Sequence, residues 1–146
     1  MSSPEKIIRD AVVTALQAIT GMSSKVVKGR PVTLTEGPSP PVIWVALGSA
    51  QDTHGPDLTS YQTTLQLDLV IAVAGTSSAP TDREDALFDL LTSVRDAIRG
   101  IDLDPADVVL LAAPLCSTTV APEEVDGPGI ALAVGVAQFV YVRGAP

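Results

Sequence analysis

The sequence is poor in the residues that most often carry chemistry. It has one cysteine, Cys116, and one histidine, His54. A lone cysteine cannot close an internal disulfide, and Cys116 has no Cys or His neighbour at metal-ligand spacing, so no metal site is expected. No basic residue lies close in sequence to lower its pKa, and a buried or half-buried structural thiol is the expectation. Aromatic residues make up 3% of the chain, so a core must be built from Val, Leu, Ile and Ala, which suits helix-on-sheet packing. Cations are scarce as well. Nine Lys and Arg stand against seventeen Asp and Glu, a formal charge of −8, and such a surface repels phosphate backbones. Sequence-specific nucleic-acid binding is therefore not expected. No apolar run reaches the length of a membrane span free of polar residues, and Met1-Ser2-Ser3-Pro4-Glu5-Lys6 lacks the basic start and long apolar run of a signal peptide. The expectation is a chain of the reducing cytoplasm with no membrane partner. Its glycines never form Gly-x-Gly-x-x-Gly or Gly-x-x-x-x-Gly-Lys-Ser/Thr, so no phosphate cradle, and no cofactor, is expected.

What is present reads as one domain over residues 1–146, long enough to bury a sizeable core. Ser2 and Glu5 have capping-box spacing, Pro4 suits a first helical turn, and Ile8, Val12, Leu16 and Ile19 recur at helical spacing. They predict a helix from about Pro4 to Thr20, stopped by Gly21. Lys25 to Leu34 is at best a short edge strand, because Gly29 and Pro31 interrupt any ladder. After Gly37-Pro38-Ser39-Pro40-Pro41, the apolar run Val42 to Leu47 predicts a strand. Gly48 to Thr59, with Gly48, Asp52, His54, Gly55, Pro56 and Asp57, predicts a long polar loop.

From Tyr61 to Val73 apolar and polar residues alternate, predicting a long strand with one buried face. Thr81 and Glu84 open a second helix from about Asp82 to Arg99, with Leu87, Leu90, Leu91, Val94 and Ile98 on one side and Gly100 as its stop. Acids at its start and Arg95 and Arg99 at its end complement the helix dipole. Val108 to Ala113 predicts a further strand, which Ser117 to Val120 extends. Pro122 to Gly129 is an acidic loop, and Ile130 to Val142 a closing strand. The predicted fold class is α+β: a largely antiparallel mixed sheet of four to five strands, with two helices packed on one face.

The candidate residues for chemistry have blander readings. His54 with Asp52 and Asp57 suggests a catalytic pair, but no nucleophile stands in a recognised context, although Ser49, Thr53, Thr59 and Ser60 are near in sequence. An exposed loop histidine is the stronger reading. Asp82, Glu84, Asp85 and Asp89 cluster, but three of them lie in the first helical turns, where negative charge is favoured, which makes the group a cap and not a metal site. Gln62, Thr64, Gln66 and Asp68 form the polar face of the long strand. That face is either solvated or, in a ring-forming protein, covered by a neighbour.

The first helix, the Arg30-Pro31 segment, the proline-led strand Val42-Ile43-Trp44-Val45-Ala46-Leu47-Gly48 and the long strand Tyr61 to Val73 follow one another in a distinctive order. Asp85-Ala86-Leu87-Phe88-Asp89-Leu90-Leu91 and the closing Phe139-Val140-Tyr141-Val142 complete it. Nearly the whole chain, in pattern and element order, resembles the tail terminator (tail completion) proteins of long-tailed bacteriophages. The resemblance implies a ring, usually of six subunits, that caps the tail tube at the virion neck. It offers a surface to the head-tail connector or stopper protein, and DNA passes through its lumen without sequence-specific binding. Such rings are assembled in the host cytoplasm. On this resemblance Asp52, Thr53, His54 and Asp57 are expected to contact a partner, the tail tube protein or another subunit. Gln62, Thr64, Gln66 and Asp68 are expected at the ring interface. A head-completion or stopper protein of the neck would look much alike. The rival from another class is a small ferredoxin-like enzyme or ligand-binding domain using the His54 loop.

Overall fold

A computed structural model of the protein describes residues 3–30, 38, 41–54, 61–74, 80–120 and 130–143. Helix α1 spans Pro4–Gln17. Its cap is Ser3 and not Ser2: the Ser3 hydroxyl accepts from the Lys6 backbone N–H at 3.2 Å, and Pro4 fills the first turn, where an absent N–H costs nothing. The helix ends three residues before Thr20, because the Ala18 N–H already reaches back to Ala15 as well as Thr14 and the chain tightens into a turn. Gly21, at a φ of 83°, supports the reversal that follows.

Strand β1 (Val26–Lys28) is short and lies parallel to β2, pairing Val26 with Ile43 through Lys28 with Val45. Strand β2 spans Val42–His54, and this corrects the expected loop. The chain does not leave the sheet at Gly48. The register shifts between Leu47 and Ser49, and pairing with β3 (Tyr61–Ala74) then continues from Ser49 with Gln66 to His54 with Tyr61. The physical reason is a β-bulge at a residue without a side chain. A Cβ on Gly48 would stand 2.7 Å from the Asp68 Oδ1 and 2.9 Å from the Gln66 carbonyl oxygen. Asp52 and Thr53, read as loop residues, are strand residues, and Asp57 lies outside the described residues.

Helix α2 spans Pro80–Arg99. The apolar stretch after it forms two strands where one extended strand was expected: β4 (Val108–Leu110) and β5 (Leu115–Val120), separated by a bend before Pro114. Both pair with the same side of β6 (Ile130–Arg143), β4 near its end and β5 along its middle. The sheet therefore has six strands in the order β1-β2-β3-β6-β4, with β5 beside β6, and only the β1–β2 pair is parallel.

Both helices lie on one face. Ile8, Val12 and Leu16 of α1 and Leu87, Leu91, Val94 and Ile98 of α2 pack on Leu65, Leu67, Leu69 and Ile71 of β3 and on Ala133, Ala137 and Phe139 of β6. A smaller cluster on the other face joins Val42, Trp44 and Ala72 with Val27, Val70 and Leu132. The second face is thus apolar at one end and, as described below, polar at the other.

Candidate functional site

The bulge at Gly48 splits β2 into two parts with different duties. Before it, Ile43 and Val45 enter the core; after it, Ser49, Ala50, Gln51, Asp52 and Thr53 are all exposed. With the start of β3 this second part makes an arm. Because β1 pairs only with Ile43 to Val45, no strand covers the outer edge of β2 beyond Val45 among the described residues.

On the face away from the helices, the arm is polar and uncharged. Register places Ser49 beside Gln66, Gln66 beside Gln138, and Gln138 beside Leu115, one row across four strands. The Ser49 hydroxyl donates to the Gln66 Oε1 at 3.3 Å, and the Gln66 side-chain amide donates to Gln138 at 3.5 Å. Gln51 and Thr64, and Thr53 and Gln62, extend the surface outward. Asp68 closes the row at the apolar end. Its carboxylate is paired with Arg30, whose guanidinium also donates to the Leu47 carbonyl at 3.5 Å. Gln62, Thr64, Gln66 and Asp68, grouped from the sequence, do share one face, all half-buried. The partnership of Asp68 with Arg30, far away in sequence, had no signal.

Asp52 is engaged, not poised: Thr63 donates a hydroxyl to its Oδ1 at 2.7 Å. Beside Thr63, on β6, Tyr141 is 3% exposed and donates to the Glu5 carboxylate. Burial first, then the charge of Glu5, pushes its phenol up to about 12. This cluster ties the start of α1 to the arm through β6. His54 stands opposite Tyr61 at the end of β2. Cys116 is half-buried on β5, where burial raises its thiol pKa and Arg95 opposes the rise. Among the described residues, no group of three or more His, Cys, Asp or Glu could hold a metal ion. No described helix is long and apolar enough to cross a membrane.

Two apolar features were not foreseen. Leu47 is 56% exposed, and with Ala50 and Leu67 it floors a groove of about 350 Å³ walled by Ser3, Glu5, Lys6 and Arg9 of the α1 start. At the opposite edge of the sheet, Leu111 and Leu115 are 49% and 64% exposed at the β4–β5 corner, beside Val109. The run Val108 to Ala113 was visible as apolar. Nothing in the sequence said that it would turn at an edge and leave these side chains outside.

No family model and no curated protein matches the chain. Among solved structures, the fold is shared with a chain from the virion of a native gene transfer agent particle, at a TM-score of 0.57 and 14% identity. The likeness covers 99% of this chain and 100% of that one. At that identity it is a likeness of fold.

Proposed function

We propose that this chain is a virion assembly protein, the subunit of a ring that caps a phage tail tube at its full length. The ring stops elongation and offers the surface to which the head connector joins. The observation that supports this is the end-to-end match of the fold to a chain of a virion particle, with no part of either chain left over beyond 1% of this one. Several features agree with it. The formal charge of −8 suits a lumen that lets DNA slide without holding it. The arm formed by β2 and β3 carries Asp52, Thr53 and His54 away from the core, and in this reading it meets the tail tube. The face of Gln62, Thr64, Gln66 and Asp68 meets the neighbouring subunit, because its first three residues are uncharged hydrogen-bonding groups and the Asp68 carboxylate is already paired with Arg30, so covering it strands no charge.

The test is assembly. Purified protein should show rings with a central channel in negative stain, and tails made without it should be overlong and fail to join heads. A protein that remains a monomer and leaves tail length unchanged would defeat the reading. Normal tails that fail only at head joining would move the protein to the stopper position of the neck.

A further inference from the structure

The two unforeseen apolar features lie on opposite edges of the sheet, and their chemistry matches. At one edge, the Leu47 groove has an apolar floor with Lys6, Arg9 and Glu5 in its wall, two cations to one acid, Arg9 being also paired with Asp10 at 3.1 Å. At the other, the β4–β5 corner presents Leu111 and Leu115 with exposed Asp104 and Asp107 just before β4. Charge is divided along the chain in the same sense. Residues 1–30 hold five of the nine cations, Lys6, Arg9, Lys25, Lys28 and Arg30, against the acids Glu5 and Asp10. From Gly100 onward the sequence has a single cation, Arg143, whose backbone pairs with Val108 at the start of β4, against Asp102, Asp104, Asp107, Glu123, Glu124 and Asp126. Of the cations that α2 brings toward this edge, Arg95 is turned onto the Thr118 hydroxyl at 3.2 Å and Arg99 onto Asp96 at 3.6 Å.

Edge protection is also missing at the corner. Strand β5, Leu-Cys-Ser-Thr-Thr-Val, contains no charged residue and no proline, and among the described residues it pairs only with β6. Solitary proteins usually guard such an edge with charge or a bulge. An exposed apolar corner with flanking acids, and an apolar groove with flanking cations on the far side of the same molecule, are the two halves of a head-to-tail contact.

We infer that copies of this chain join head-to-tail, the Leu111–Leu115 corner of one seated in the Leu47 groove of the next. Because knob and groove are different surfaces, each subunit offers both, and the series closes when the rotation between neighbours permits. The inference rests on the ring reading and deepens it. The row Leu115, Gln138, Gln66, Ser49 is continuous across the strands, so the knob and the polar face cover the same neighbour.

The experiment uses the whole chain with one substitution on each side, at exposed positions that leave the core intact: Leu47→Asp and Leu111→Asp. Each variant should keep the parent's secondary structure by circular dichroism and melt cooperatively, at a lower temperature only by the stabilisation that assembly adds, and each alone should be monomeric by light scattering where the parent is a ring. Mixed at high concentration, the two should give a one-to-one dimer and nothing larger. The intact knob of Leu47→Asp fits the intact groove of Leu111→Asp, while the remaining two surfaces are blocked. Rings from either variant alone, or no dimer in the mixture, would overturn this pairing while leaving a parent ring in place. A monomeric parent would instead defeat the ring itself. Should Leu111→Asp fail to fold, Leu115→Asp, in the same knob, replaces it in the same scheme.

Discussion

Among the described residues, Tyr141 has the most displaced pKa. Its phenol is held neutral by burial and by the hydrogen bond it gives to Glu5, and its pKa rises from 10.0 to about 12. The folded state therefore binds this proton more tightly than the unfolded chain does. Its contribution to stability is complete below pH 10 and is lost as pH rises through about 12. The expected outcome for Tyr141→Phe is a loss at neutral pH of about 1 kcal/mol, the usual worth of one hydrogen bond. It should also show a flatter fall in melting temperature than the parent between pH 10 and 11.5. Parallel thermal melts of both proteins across that range check it, and equal slopes would show that Tyr141 does not titrate with folding. Asp10 shows the converse, in weaker form. The Lys28 ammonium, at 3.0 Å, lowers its pKa, so its contribution fades as pH falls, but the pair is exposed and worth little.

At the scale of the element, the bulge in β2 determines which way the arm faces. A side chain at position 48 would meet the Gln66 carbonyl, a backbone atom that cannot swing aside as the Asp68 carboxylate can. Gly48→Val should therefore cost about 1–3 kcal/mol, the range for overpacking a tight contact. The damage should be local, with amide exchange accelerating over Ser49 to Thr53 and not over Ile43 to Val45. Unchanged melting and exchange would show that the bulge is not needed. This element also marks the limit of what the sequence disclosed. The alternation from Tyr61 to Val73 named the inward face of β3 correctly, since Leu65, Leu67, Leu69 and Ile71 are core. Helical spacing did the same for Ile8, Val12, Leu16, Leu87, Leu91 and Val94. Those signals are local and periodic. The continuation of β2 was hidden because glycine, aspartate and histidine are turn formers by local preference. What keeps them extended is cross-strand pairing with later residues, from His54 with Tyr61 through Asp52 with Thr63 to Ser49 with Gln66. The candidate surface was half legible for the same reason. Period two grouped Gln62, Thr64, Gln66 and Asp68, whereas the Arg30 pair, the Leu47 groove and the β4–β5 corner depend on which strands lie at the sheet edges.

For the molecule as a whole, the placement of β6 has a consequence for biosynthesis. It is the last strand in chain order, yet it lies between β3 on one side and β4 and β5 on the other, and β4 and β5 pair with nothing else among the described residues. A nascent chain emerging from the ribosome can build α1, β1, β2 and β3, but Leu65 to Val73 keep one unpaired edge until Ile130 to Arg143 arrive. Such non-local pairing delays the cooperative step to the end of translation. Chains stalled before Ile130 should be cut readily by a dilute protease, and chains released after Arg143 should resist it. Resistance in the stalled chain would show that the first part folds alone. The corner bearing Leu111 and Leu115 is held in the sheet only by β6. A half-made chain therefore has no formed corner to present, and on the proposed head-to-tail contact translation itself would act as the checkpoint that keeps truncated copies from seating in a neighbour's groove.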